Sequence, residues 1–303
     1  MPHIPVLLQP SIDGLALKNG DIFLDATLGG GGHSAAVAEA FGDTVQIIGI
    51  DQDGVALRTA SERMSKVTKN FQAFEYNFRN LDKALDEAHV QNVDKILFDL
   101  GISSPQIEES GRGFSFKKNE PLLMTMSDKV AADESAIKFT AKDIVNTWTE
   151  EHLVDIIRGY GEERYAARIA NAIVEARRLK PIATTFDLVA VIEKAVPGSY
   201  RHGRIHPATR TFQALRITVN DELGAAEEGI RKGFQILAPT GRMAVISFHS
   251  LEDRIVKRYF KSLIAEGRAQ GITKKPIVPS IEEEKTNPRS RSAKLRIIEK
   301  IAA

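Results

Sequence analysis

The sequence contains no cysteine. Disulfides, thiolate metal sites and cysteine nucleophiles are therefore excluded. Neither charge sign is in excess: 41 Lys and Arg face 40 Asp and Glu, a net +1. Any nucleic-acid surface must then be local rather than spread over the molecule. No apolar run approaches membrane-spanning length, and no leading segment has the pattern of a signal peptide. A cytosolic chain without membrane contact is expected. There is also no internal repeat or low-complexity tract. What is present, 43% apolar and 27% charged residues over 303 positions, is globular composition, enough for one large or two ordinary domains.

The most informative stretch is Asp25-Ala26-Thr27-Leu28-Gly29-Gly30-Gly31-Gly32-His33-Ser34. Apolar Ile22-Phe23-Leu24 precedes it, and helix-forming Ala35–Ala40 follows. The pattern predicts strand, glycine turn and helix. Consecutive glycines permit positive φ and present no Cβ to a ligand, and the helix start offers unpaired N–H groups. A nucleotide-like ligand suits such a turn. A G-x-G-x-x-G dinucleotide fingerprint fails, because the third glycine counted from Gly29 is Ser34. D-x-x-x-G-x-G does fit, through Asp25, Gly29 and Gly31. It resembles the first motif of class I S-adenosylmethionine (SAM) methyltransferases, whose acid helps hold the cationic amino-acid end of SAM. An ordinary glycine-rich turn is the alternative.

Residues 1–20 read as no more than a Pro-broken lead-in. Gln46–Asp51 has a buried-strand pattern, and Asp51 stands 20 residues beyond Gly31, where a second-strand acid would bond a ribose diol. A helix follows toward Met64, then a third strand over Phe71–Tyr76. Phe78 after it fits either an adenine stack or a core aromatic. A fourth strand, Val93–Asp99, ends in an acid suited to a reaction centre at the carboxyl edge of a parallel sheet. Amino-group methyltransferases often carry Pro-Pro-aromatic here; this chain has Leu100-Gly101-Ile102 instead. Residues 104–205 lack strand pattern and read as an all-helical insertion, with Thr140, Thr149 and Thr184 as helix caps. One long helix is expected after Pro207, carrying Phe212, Leu215, Val219 and Leu223 on a stripe. Gly241–Phe248 reads as the fifth strand, with Ser250 onward capping a helix. Lys275–Val278 and Leu295–Ile298 read as final strands. The expected architecture is α/β: a class I SAM-methyltransferase (Rossmann-like), mostly parallel sheet over 1–103 and 206–303, with the helical domain at 104–205.

Several blocks taken together resemble one family: Asp25–Ser34, Asp99–Gln106, Arg112–Phe116, Gly161-Glu162-Glu163-Arg164, Arg210–Ile217, Ser247–Arg254 and Asn287–Arg296. In this order, over nearly the whole chain, they are similar to the bacterial small-subunit ribosomal RNA cytosine-N4 methyltransferases (RsmH or MraW). The resemblance implies SAM as methyl donor, no metal, and N4 of a decoding-region cytidine as acceptor. It implies donor contacts at Gly31, Gly32, His33, Asp51, Phe78, Asp99 and Gln106; of these, His33 and Gln106 come from the resemblance alone. One block departs from the family pattern: Leu123 and Thr125 stand where the family carries an acid and a base.

Without cysteine, carbon-5 methylation of a pyrimidine through a thiolate is disfavoured, and a nitrogen or oxygen acceptor is the better expectation. Asp99 is the candidate proton acceptor near the reacting amine. His249, just past the fifth strand, fits either substrate contact or a capping turn. The expected partner is small-subunit ribosomal RNA, bound locally and salt-sensitively. Arg201, Arg204, Arg210 and Arg216, with His202 and His206, form one candidate cluster; Arg289, Arg291, Lys294 and Arg296 form another. A solvated charged face remains the alternative for each residue alone. The sequence leaves the oligomeric state open, a homodimer being one option. Two other functions compete: a non-catalytic RNA-binding protein on the same fold, and a small-molecule SAM methyltransferase.

Overall fold

The computed structural model describes residues 5–128 and 139–302. The first four residues of the lead-in lie outside them. The chain forms two compact units, one from residues 1–101 and 223–303, the other from 102–222.

The first unit is built on seven strands: β1 Ile22–Asp25, β2 Gln46–Asp51, β3 Phe71–Glu75, β4 Val93–Asp99, β5 Leu237–Ser247, β6 Ala269–Gly271 and β7 Lys294–Lys300. Their order is β3-β2-β1-β4-β5-β7-β6. β1 to β5 run parallel, and β7 pairs antiparallel with both β5 and β6. Alternate residues of each strand serve opposite faces. Leu24, Ile48, Ile96, Phe98 and Val245 join one buried cluster, and Phe23, Ile47, Leu97, Ala244 and Ile246 the other. Apolar side chains on both faces are what a parallel sheet covered by helices requires. The strand order reverses between β1 and β4, so the crevice at their carboxyl ends is the place for a ligand. Asp25, Asp51 and Asp99 close three strands on that edge.

The second unit is helical. Its longer helices are Ala141–Thr147, Glu150–Gly159, Ala166–Leu179, Thr185–Ala195 and Thr209–Asn220. Thr140 and Thr184 close capping boxes with Asp143 and Asp187, and the Thr149 hydroxyl accepts from His152 N. Ile144, Leu153, Ile157, Ile169, Ile173 and Leu188 are fully buried in its core.

Four expectations differ from what forms. The helical unit runs to Glu222 rather than 205, because Phe212 and Leu215 of helix Thr209–Asn220 belong to its core. The single stripe through Leu223 is broken at Asp221, whose φ of 47° ends one helix before Glu222–Ile236 begins. Lys275–Val278 makes only one bridge, Ile277 to Leu295, since Pro276 has no N–H to give a ladder; Ala269–Gly271 takes the edge instead. The lead-in holds a helix, Leu8–Leu15. Pro10 is tolerated there because first-turn N–H groups have no intrahelical partner in any case.

Candidate active site

The glycine turn is shaped by the acids around it. Asp51 Oδ2 accepts from Gly29 N at 2.8 Å and Oδ1 from Asp53 N at 2.9 Å. Asp25, 1% exposed, accepts from the Ser34 hydroxyl at 2.7 Å and from Thr27 N at 3.3 Å. The Thr27 hydroxyl accepts from Asp99 N at 2.6 Å, tying the end of β4 to the turn after β1. Asp25 thus also holds the loop from beneath, through Ser34 and Thr27. Gly29 and Gly31 have φ of 52° and 70°, and a Cβ on Gly31 would stand 3.1 Å from Ala60 Cβ. Gly32 has a different reason to be glycine: its Cβ would fall 2.4 Å from Pro5 Cγ.

His33 is 6% exposed, with Nε2 3.2 Å from Val6 O and Nδ1 3.9 Å from Asp99 Oδ2. Asp99 Oδ1 is buried and has no hydrogen-bond partner in the protein, although 26% of the side chain is open. Burial raises the Asp25 carboxyl to about 6 against the Ser34 and Thr27 donors, with the Asp51 charge adding to it. Burial also raises Asp51 to about 6 despite the backbone donors of Asp53, Gly29 and Gln52. Asp99 is pushed well above the carboxylate range by burial and then by the charges of Asp25 and Glu252. Three desolvated acids on one strand edge form a site that favours a cation.

The other candidates are placed differently. Phe78 is half-buried, meets Phe98 edge-on at 5.8 Å and packs on Gly229. His249 caps helix Ser250–Ala265: Nδ1 accepts from Glu252 N at 3.4 Å, while Glu252 Oε2 accepts from Phe248 N at 2.8 Å. Of the two roles open for His249, capping is the one its hydrogen bonds describe. Gln106, in the helical unit, boxes with Ser103 and donates to Met126 O at 3.3 Å.

Among the arginines, Arg201, Arg204 and Arg291 are exposed and Arg289 is half-buried. Lys294 and Arg296 both bind Asp253. Arg216 grips Glu222 with two hydrogen bonds of 2.7 Å, the side chains 16% and 7% exposed. Arg216→Ala is therefore expected to lower stability by about 3 kcal/mol, because buried Glu222 loses its bidentate cation. A melting curve checks this; an unchanged melting temperature would return Arg216 to the RNA candidates. The Thr27 role was not singled out from sequence, since its partner, Asp99 N, lies 72 positions away and carries no spacing signal.

Strand order, crevice and glycine turn define a Rossmann-like methyltransferase fold. A Streptococcus mutans protein described as a methyltransferase and solved with SAH has the same fold, with TM-score 0.50 and 13% identity over 99% of this chain and 100% of that one. The sequence model of the MraW methylase family matches residues 1–301. "Ribosomal RNA small subunit methyltransferase H" of Clostridioides difficile is 44% identical over 99% of both chains. That of Sulfurihydrogenibium sp. is 45% identical over 97% of this chain and 98% of its own. The chain belongs to the MraW methylase family. Among the described residues, no helix is long and apolar enough to cross a membrane.

Proposed function

We propose that this protein methylates small-subunit ribosomal RNA from SAM, at N4 of a cytidine in the decoding region. The observation that carries the reading is the set of buried acids Asp25, Asp51 and Asp99 around a glycine turn. SAM supplies an electrophilic methyl on a positively charged sulfur and brings an ammonium group, so it meets these acids with opposite charge. Gly29 and Gly31 keep the turn low beneath it, and Asp51 holds the turn while offering its remaining lone pairs to a ribose. Residue by residue, these donor roles rest on the family resemblance and the burial described above.

The acceptor nitrogen has its lone pair delocalised into the cytosine ring. An acceptor beside the amine favours the rehybridised form and takes its proton. Asp99 Oδ1, buried and without a partner, is the group suited to that duty. The cytosine has to be unpaired or flipped to present its amine. Exposed Arg201, Arg204 and Arg291 are suited to phosphate contact. A ribosomal RNA substrate carries a cytoplasmic location with it.

Labelled SAM incubated with small subunits from a strain lacking the modification, followed by nucleoside analysis, tests the reading. Label in N4-methylcytidine is expected. Label in another nucleoside would keep the enzyme class and discard the atom; no label with no SAM binding would discard both.

The pH dependence of donor binding follows from the same acids. A cation prefers them ionised and lowers their pKa, so binding releases protons and tightens as pH rises through about 6. Affinity for SAM is expected to rise about tenfold between roughly pH 5.5 and 7.5, one unit of linked shift being a factor of ten. Calorimetry in buffers of different ionisation enthalpy reads the protons directly. Buffer-independent heats would mean that the acids do not face the donor.

A further inference from the structure

The block Gly161-Glu162-Glu163-Arg164 has no part in the donor site, yet it builds a distinct feature of the helical unit. A Cβ on Gly161 would fall 2.5 Å from Ile157 O and 2.6 Å from Arg210 O, so only glycine allows the turn to lie against Arg210. Arg210 Nη1 donates to Glu162 O at 3.2 Å. Glu163 then turns inward and is 1% exposed. Its Oε1 accepts from Tyr165 N at 2.8 Å and its Oε2 from the Tyr200 hydroxyl at 2.5 Å. The two tyrosine rings meet at 4.9 Å and 71°. Arg164 lies over both, its guanidinium 4.7 Å from the Tyr165 ring and 4.8 Å from that of Tyr200. Arg168 approaches the Tyr165 ring at 5.8 Å.

We propose that Arg164, laid on Tyr165 and Tyr200 above buried Glu163, is a built site for the phosphodiester backbone of RNA. It rests on the reading that this protein acts on ribosomal RNA, and it names where the helical unit holds that backbone. A solvated arginine has no buried acid fixing the rings beneath it; here the guanidinium lies on fixed rings while the residue stays exposed. Among the described residues, no carboxylate pairs with Arg164 or Arg168, and both are exposed. A fixed planar fork matches two phosphate oxygens, which a flexible ammonium does not. Arg201, adjacent to Tyr200 in sequence and exposed, adds a further cation. Burial and the Glu163 carboxylate raise the Tyr200 hydroxyl, so it stays a donor to Glu163.

The test measures binding of the full-length protein to unmodified small subunits over a range of salt, with SAM affinity and melting temperature taken in parallel. R164A/R168A is expected to weaken subunit binding about tenfold or more and to reduce the salt slope by about two, one per lost phosphate contact. R164K, which keeps the charge and loses the fork, is expected to fall between. SAM affinity stays at the wild-type value, and the melting temperature falls only slightly, through the lost cation–π contacts. Wild-type affinity and slope in R164A/R168A would overturn the proposal, as would a parallel loss of SAM affinity or unfolding at the assay temperature. Wild-type binding that depends on Arg164 without any methyl transfer would retain this site and discard the proposed reaction.

Discussion

Asp99→Asn is expected to lose about a hundredfold or more in turnover on unmodified small subunits, the range for removal of a general base. It is also expected to unfold at a higher temperature than the wild type near pH 8. Both results come from one fact, the burial of a carboxylate whose Oδ1 has no partner. An acid whose pKa is raised on folding binds protons more tightly when folded. Stability is therefore lost as pH climbs from the unfolded value, about 4, through the raised folded one. Asparagine removes that loss above the raised pKa and has no such effect in acid, where the wild-type group is protonated. It also removes the group that accepts the amine proton. Single-turnover rates and melting curves across pH check the pair. Normal turnover in Asp99→Asn would leave Asp99 with donor binding alone; equal melting temperatures at pH 8 would refute the burial argument.

Gly31→Val is expected to weaken SAM binding about fiftyfold or more while the sheet remains folded. The position has φ of 70°, which costs a residue with a Cβ about 1–2 kcal/mol. The new Cβ also stands 3.1 Å from Ala60 Cβ, and crowding of that kind costs about 1–3 kcal/mol. Relief of either requires the turn to move, and Asp51 Oδ2 holds that turn through Gly29 N. The helix bearing Ala60 packs on the sheet and has little room to retreat, Ala60 and Met64 being fully buried. Equilibrium binding of SAM with circular dichroism in parallel separates the site from the fold. Wild-type affinity in this variant would show that the donor does not lie on the turn.

β1, β2 and β4 were legible because each is a short apolar run closed by an acid, with buried residues on both faces, and β3, which has no buried residue, was legible from alternation. Asp25, Asp51 and Asp99 could be picked out because the strand ends of such a sheet share one edge by construction. The caps Thr140, Thr149 and Thr184 were legible because a cap is a local bond over two or three residues. Phe78 stayed open, since an aromatic after a strand has the same pattern whether it stacks on a ligand or on Phe98. His249 was ambiguous for a like reason: a histidine before a helix serves a cap or a substrate equally well in one dimension.

Local order thus decided the elements, their sequence and the acids that close them, because strand and helix periodicity and capping act over a few residues. Tertiary structure alone decided what each polar group does. Thr27 holds Asp99 N from 72 positions away. Arg216 is spent on Glu222 rather than left for phosphate. Glu163 reaches Tyr200 across 37 residues. Such bonds depend on which helices and strands pack together, and desolvation, which shifts the acids, exists only once that packing has removed water.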